Sequence, residues 1–440
     1  MTRRPLGVLL ASICLFLTAD LRAQEPRTVG LAALASRDVA GAETFEAAWT
    51  IIRDTHFDPG MNGVDWNAVK AELGPRAAAA KDPGELRAVI REMLGRLGQS
   101  HFAIIPGSGD SPSKMLSDMS GDPGIDVRLI EDSLVVTTVE SGAQKVGVKP
   151  GWKVVALAGT PVTPLLTELP AGPRIRQVEA WRIAQERLRG PAGTTARVTF
   201  EDANGQSRDV VLERHIESGQ PVTVGHLPTM FVRVDSERRP LSGGKAAGII
   251  RFNVWMAAVD REFQKAMDSL RDTDGIVIDL RGNPGGLAAM LMGISGHFVS
   301  ERKTLGTMKT RDTELRFVAN PRLVSAAGQR VEPFAGPVAI LVDAMTGSAS
   351  ECFAGGMQSI KRARVFGQVS MGQALPALFD KLPNGDVLIH AYGDFVAADG
   401  TRLEGRGVVP DETVPLTRES LAAGEDRTME AALRWISRLR

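Results

Sequence analysis

The chain has 440 residues, more than one ordinary domain holds and enough for two or three. Hydrophobic residues make up 43% and charged residues 24%, which excludes a disordered chain and supplies material for packed cores. Lys plus Arg matches Asp plus Glu at 52 each, so no net positive field recruits nucleic acid or anionic lipid, and neither partner is expected.

The first elements are at the N-terminus. Arg3 and Arg4 precede an apolar run over 6–17 that is short for a bilayer span. Residues 1–23 read as a secretory signal, cut near Ala23 ahead of Gln24-Glu25-Pro26; the alternative is a retained anchor. Ile13 before Cys14 argues against a lipoprotein signal. The expected location is therefore outside the cytoplasm, periplasmic or secreted, with no stable membrane insertion once the signal is removed. Loss of Cys14 would leave Cys352 alone, which rules out an intrachain disulfide in the mature chain. Cys352 falls in a predicted helix with no His beside it, so it reads as a buried structural thiol.

Residues 27–106 read as a small helical domain. Phe45, Trp49, Ile52 and later Leu86, Val89, Ile90, Met93, Leu94 and Leu97 recur at helical spacing over 43–99, broken by Asp58-Pro59-Gly60. A Ser, Gly, Asp and Pro-rich linker spans 107–123. Short strands follow at 125–127 and 134–136. Val148-Lys149-Pro150-Gly151-Trp152-Lys153-Val154-Val155-Ala156-Leu157-Ala158-Gly159 comes next, then a helix over 175–188 and a strand over 196–200. Residues 120–215 resemble a PDZ domain, a module that adds an extended peptide to a sheet edge. A generic small β-domain is the alternative.

From residue 216 to 415 strand and helix alternate. Strands are predicted over 247–252, 275–280 and 338–342, and helices over 257–270 and 287–297, with Phe263, Met267 and Leu270 on one face. This order predicts an α/β core with a mixed, partly parallel sheet. Asn384-Gly385 and Asp399-Gly400 mark hairpin turns. Residues 416–440 read as a C-terminal helical segment. The fold class is thus α/β multidomain.

Two segments carry chemistry. In Val338-Ala339-Ile340-Leu341-Val342-Asp343-Ala344-Met345-Thr346-Gly347-Ser348-Ala349-Ser350-Glu351, a buried strand meets a tight turn and a helix. Ser348 would then sit at a helix N-terminus, where free N–H groups favour a nucleophilic oxygen and the oxyanion it creates. A plain helix cap at Ser348 or Ser350 is the other reading. In Gly275-Ile276-Val277-Ile278-Asp279-Leu280-Arg281-Gly282-Asn283-Pro284-Gly285-Gly286, a strand runs into a Gly-rich loop without the Lys-Ser/Thr ending of a phosphate loop. An oxyanion hole or a simple turn fits it.

Together these motifs resemble the C-terminal processing peptidase family over roughly 45–415, which also carries an embedded PDZ domain. The resemblance implies a ClpP/crotonase-like core, Ser348 as nucleophile, and an oxyanion hole from the amides of Gly285 or Gly286 and of Ala349. One branch of that family uses a lysine base in a Thr-Phe-Gly-Lys-Gly motif. Here the stretch reads Ser370-Met371-Gly372-Gln373-Ala374, and an amide is no base near neutral pH. The tricorn-like branch takes a His from a Ser-His pair and a late Glu. Ser100-His101 and Glu404 in Leu403-Glu404-Gly405-Arg406-Gly407 resemble those parts. The implied assignment makes His101 the general base, with Glu404 and Ser100 orienting it. His56, His215, His226, His297 and His390 show no metal-ligand spacing, so catalysis without metal or cofactor is expected. Ala349 stands where that branch often carries an Asp, which removes the basis for a preference for basic residues. The expected substrates are proteins or peptides with unstructured tails. The alternative is a non-catalytic peptide- or hydrophobic-ligand-binding protein on the same scaffold, like the interphotoreceptor retinoid-binding proteins, or a scaffold whose PDZ-like domain is the working part.

Overall fold

In a computed structural model the described residues are 35–107, 121–223 and 229–439. The expected signal and anchor segment lies outside them, as does most of the linker. No helix among the described residues is long and apolar enough to cross a membrane.

The N-terminal region holds helices α1 (Ala35–Thr55), α2 (Trp66–Ala78) and α3 (Pro83–Gly95). Asp65 caps α2 by accepting from Ala68 N–H at 2.9 Å. Asp82 caps α3 by accepting from Gly84 and Glu85 N–H at 2.7 and 2.9 Å, and Pro83 occupies the first helical position. Trp49 and Trp66 each donate their indole N–H to the other's carbonyl, at 2.8 and 3.1 Å. The chain leaves this cluster through β1 (Ala103–Ile105).

The next region is an antiparallel sheet in the order β2 (Ile125–Ile130), β3 (Ser133–Val139), β4 (Lys153–Leu157), β5 (Thr195–Glu201) and β6 (Ser207–Glu213), with helix α4 (Pro173–Leu188) packed on the edge strand β2. Alternate residues of β5, Ala196, Val198 and Phe200, are buried, as the period of a one-sided sheet demands.

The core sheet is mixed. Strand β7 (Val234–Pro240) lies antiparallel at one edge of β8 (Ala246–Phe252). Helix α5 (Ala257–Leu270) returns the chain to β9 (Gly275–Asp279), parallel to β8. Val259, Phe263, Ala266, Met267 and Leu270 form the buried face of α5. The predicted helix over 287–297 is shorter than expected, α6 (Met290–Ser295), with single turns on either side. A hairpin of β10 (Lys303–Lys309) and β11 (Glu314–Ala319) precedes β12 (Val338–Val342), which pairs parallel with β9. Every residue of β9 and β12 is buried, as near-continuous apolar strands in a two-sided parallel sheet should be. Burial stabilises each such Val or Ile by about 1.5–3 kcal/mol.

Helix α7 (Ala349–Ser359) follows β12, and β13 (Arg364–Gly367) adds to the sheet. Strands β14 (Ala377–Lys381) and β15 (Val387–Ala391) form the hairpin expected at Asn384-Gly385, and β16 (Asp394–Ala397) pairs with β10. The short β17 (Glu412–Thr413) completes the order β7-β8-β9-β12-β13-β17.

Two long-range pairings were not foreseen. β1 joins β15 antiparallel, with Ile104 opposite Leu388, so Leu382 and Leu388 belong to the helical region's core. The C-terminal helix α8 (Arg427–Arg438) packs under β9, β12 and β13, where Met429, Ala432 and Ile436 meet Val277, Ala339, Leu341 and Phe366. It is part of the core, not an appendage.

Candidate active site

The two motif segments end side by side because β9 and β12 are neighbours, with Ile278 opposite Ile340. Their loops are stitched together. Asp343, just past β12, accepts from Gly282 N–H at 2.9 Å and Met345 N–H at 3.0 Å. Gly347 N–H donates to Asn283 O at 3.0 Å, and the Thr346 hydroxyl donates to Leu280 O at 2.9 Å. The buried Asn283 amide donates to Phe252 O at 2.8 Å.

Ser348 sits where the strand-turn-helix pattern puts it, directly before α7. Its backbone lies at φ +51 and ψ −119, a conformation that costs a non-glycine residue about 1–3 kcal/mol and that turns the side chain out of the turn. Gly285 permits this close approach: a Cβ there would stand 2.6 Å from Ser348 Cβ.

His101 comes from the segment between α3 and β1, at φ +60. That segment is fixed from behind, where Gln99 Oε1 meets His56 Nε2 at 2.9 Å and the His56 ring stacks on Phe102 at 5.6 Å. The imidazole Nε2 lies 3.2 Å from Ser348 Oγ although the two residues are 247 positions apart. Nδ1 lies 2.8 Å from Ser100 Oγ. Ser100 sends its hydroxyl to Glu404 Oε2 at 2.8 Å and its backbone N–H to Oε1 at 2.9 Å. The same Oε2 accepts from Ala374 N–H at 2.9 Å.

These partners fix one proton arrangement. Ser100 donates to Glu404, so its oxygen must accept from His101 Nδ1–H, which leaves Nε2 with a lone pair facing Ser348. Glu404 thus reaches the imidazole through Ser100 rather than directly. Burial lowers the His101 pKa to about 4, so the ring is neutral at pH 7.

Of the three amides expected at an oxyanion hole, Gly285 is engaged elsewhere: its N–H donates to Asn283 Oδ1 at 3.0 Å. A Gly loop folded around a buried Asn uses one of its own donors to hold its shape. Among the described residues, Gly286 and Ala349 N–H have no protein acceptor; Ala349 directly follows Ser348, and Gly286 directly follows Gly285, which packs against Ser348.

Residues 246–414 match the profile of Peptidase family S41, and residues 41–95 match the tricorn protease C1 domain. A carboxyl-terminal-processing protease of Synechocystis sp. is 23% identical over 376 residues, covering 83% of this chain and 79% of the relative. Residues 246–414 thus carry a Peptidase family S41 domain, and the chain is similar to C-terminal processing peptidases. This S41 peptidase is also 24% identical over 410 residues to a putative tricorn protease homolog 2 of Streptomyces coelicolor, covering 89% of the chain but only 32% of that relative. Among solved structures, a photosystem II D1 C-terminal processing protease shares the fold at a TM-score of 0.58 and 20% identity, over 90% of this chain and 97% of that one.

Gln373, in the stretch expected to match the lysine motif, accepts from Ser348 N–H at 2.9 Å through its backbone oxygen. His226 lies outside the described residues. His390 meets Asp380 at 2.7 Å and Thr55 at 3.0 Å, and His297 is enclosed without a hydrogen-bond partner. Cys352 is buried, and burial pushes its thiol well up, with the Glu351 charge adding to the shift. Among the described residues no group of three His, Cys, Asp or Glu side chains is arranged to hold a metal ion. One residue of the site was not singled out by sequence reasoning. Glu351 is buried behind the Ser348 turn and accepts four hydrogen bonds. Its motif was in view, but backbone donors leave no signature in side-chain spacing.

Proposed function

We propose that this serine peptidase cleaves unstructured protein tails through a Ser348–His101–Ser100–Glu404 relay. The observation that carries the reading is the 3.2 Å approach of His101 Nε2 to Ser348 Oγ, made by segments 247 positions apart in the chain. Ser348 Oγ attacks the scissile carbonyl while His101 Nε2 takes its proton. The oxyanion is held by the N–H groups of Gly286 and Ala349. The charge that develops on the imidazole is balanced through Ser100 by Glu404. His101 then gives the proton to the leaving amine, and water repeats the sequence on the acyl-enzyme.

The PDZ-like reading of 120–215 gives the tail a docking place. β2 is an edge strand with α4 alongside, which is the setting for strand addition. The active site would open beside it on a ClpP/crotonase-like core. The basic, then apolar start of the sequence supports export to the periplasm or medium.

A fluorophosphonate probe should label Ser348, and Ser348→Ala should abolish both labelling and cleavage of an unstructured peptide. Cleavage retained in a folded Ser348→Ala protein would remove the assignment.

A further inference from the structure

Glu351 is the third residue of α7 and is fully buried. Among the described residues no Lys or Arg donates to it. Its four donors come from two segments. Oε2 accepts from Ser348 N–H at 3.1 Å and from Gln373 N–H at 2.9 Å. Oε1 accepts from Gly372 N–H at 2.6 Å and from the Ser370 hydroxyl at 2.5 Å. The next amide along, Ala374 N–H, goes to Glu404 instead. Two consecutive peptide groups therefore join the two carboxylates.

The contacts close a ring. It runs from Ser348 Oγ through His101, Ser100 and Glu404 to Ala374, steps along the backbone to Gln373, and returns through Glu351 to Ser348 N–H. One side of the ring is the proton relay. The other side sets where the nucleophile's backbone stands relative to the relay's acidic end. Ser348 is held in a sparsely populated conformation, so something must over-determine it; its N–H is shared between Gln373 O at 2.9 Å and the Glu351 carboxylate, which also holds the Gln373 N–H.

We propose that Glu351 is a positioning residue for catalysis, whose ionised carboxylate holds the Ser348 backbone and the 370–374 loop in register with the His101–Ser100–Glu404 relay. This rests on the relay reading above. Glu351 touches no reacting atom; it acts through Ser348 and through the loop. A neutral carboxyl would place an O–H against a set of donors and lose at least one of these bonds.

The ring is sensitive to pH near neutrality. Burial raises the Glu351 pKa to about 7, against the four donors, which lower it. The titratable groups facing it are Cys352 on its own helix and Glu404 beyond Ala374, with the His101 imidazole across Ser348. Ionisation of Glu351 is complete only above neutral pH, so kcat rises as pH increases through about 7. Below that step a lower plateau extends down to the His101 titration near 4.

The test is a pH profile of kcat and KM on a fluorogenic unstructured peptide, with folding checked by circular dichroism. Glu351→Gln keeps the shape but sets an NH2 among donors. It is expected to lower kcat at pH 8 about 100-fold with little change in KM. It should also erase the step near neutral pH and leave only the limb near 4. Ser370→Ala removes one donor from the anion and should move the neutral step to higher pH. A folded Glu351→Gln protein that keeps wild-type kcat, or keeps the neutral step, overturns the proposal. Should that variant not fold, an unmoved step in Ser370→Ala overturns it. Wild-type protein that the probe does not label at Ser348 sinks the relay reading and this one with it. Labelled wild type beside an unchanged Glu351→Gln sinks this one alone.

Discussion

Two buried histidines show how environment divides one residue type between tasks. His101 faces a serine on each side and is held neutral with its lone pair aimed at Ser348. His297 is buried among Phe263 and Phe298 with neither ring nitrogen bonded, and burial drives its pKa to about 3. In the sequence only the Ser100-His101 pair set His101 apart from His297; the neighbours that decide came from distant segments. The difference has a consequence for stability. Both folded-state values lie below the unfolded value near 6.5, so the unfolded chain binds more protons between 6.5 and the folded pKa. The stability these two histidines contribute is therefore complete above about 6.5 and is lost as pH falls toward 4 and then 3. His297→Leu removes the larger of these slopes. Its acid unfolding should begin at lower pH than that of wild type, by an amount equivalent to roughly 4 kcal/mol at pH 3. Urea melts at pH 7 and pH 4 check this; parallel losses in the two proteins would sink it.

The central elements were legible because their physics is local. The segments Gly275–Asp279 and Val338–Val342 are apolar throughout, and both proved to be fully buried parallel strands. Helix Ala257–Leu270 declared itself by period, with Phe263, Met267 and Leu270 on its inner face. The join of Ala103–Ile105 to Val387–Ala391 was not legible, since a three-residue strand carries almost no pattern. The covering helix Arg427–Arg438 was readable as a helix but not as a lid for Val277 and Leu341. The Gly-rich loop lay between these cases. Its glycines signalled close approach, but which amide stays available depended on the Asn283 side chain. That division predicts how Gly285 responds to change. A Cβ at Gly285 meets Ser348 Cβ at 2.6 Å, and the residue sits at φ +107. Gly285→Ala should displace the nucleophile and cut kcat at least about 100-fold. It should destabilise the chain by only about 1–3 kcal/mol, since the strain is confined to one loop. Kinetics beside a denaturant melt separates the two effects; wild-type kcat in the variant would show that the loop does not set the position of Ser348.

At the scale of the whole molecule, the 121–216 region is fastened to the core by three guanidinium groups, two of which reach the loops beside Glu404 and Ser348. Arg174, in the first turn of α4, donates to the carbonyls of Gly405 and Arg406, the residues just after Glu404. Arg418 donates to Gly151 O and Asp202 O, both at 2.9 Å. Arg128, buried on the edge strand β2, donates to Asp126 at 2.6 Å and to Asp343 at 3.3 Å. Asp343 in turn organises the Gly282 loop and the turn before Ser348. The strand proposed to receive a peptide is thereby two contacts from the nucleophile turn. Burying such a pair costs desolvation on both sides, so the contact is better read as a device for register than as net stability. A double-mutant cycle tests it. Arg128→Met keeps most of the volume and Asp343→Asn keeps much of the turn's bonding. Contacting residues of this kind couple by about 0.5–3 kcal/mol. The coupling should appear in kcat/KM as well as in unfolding free energy, because loosening Arg128 frees the loop that positions Gly285 and Gly286. Coupling in stability alone would mean that the arginine fastens the domains without setting the geometry at Ser348. Additivity in both would mean that the 3.3 Å contact exerts no hold in solution.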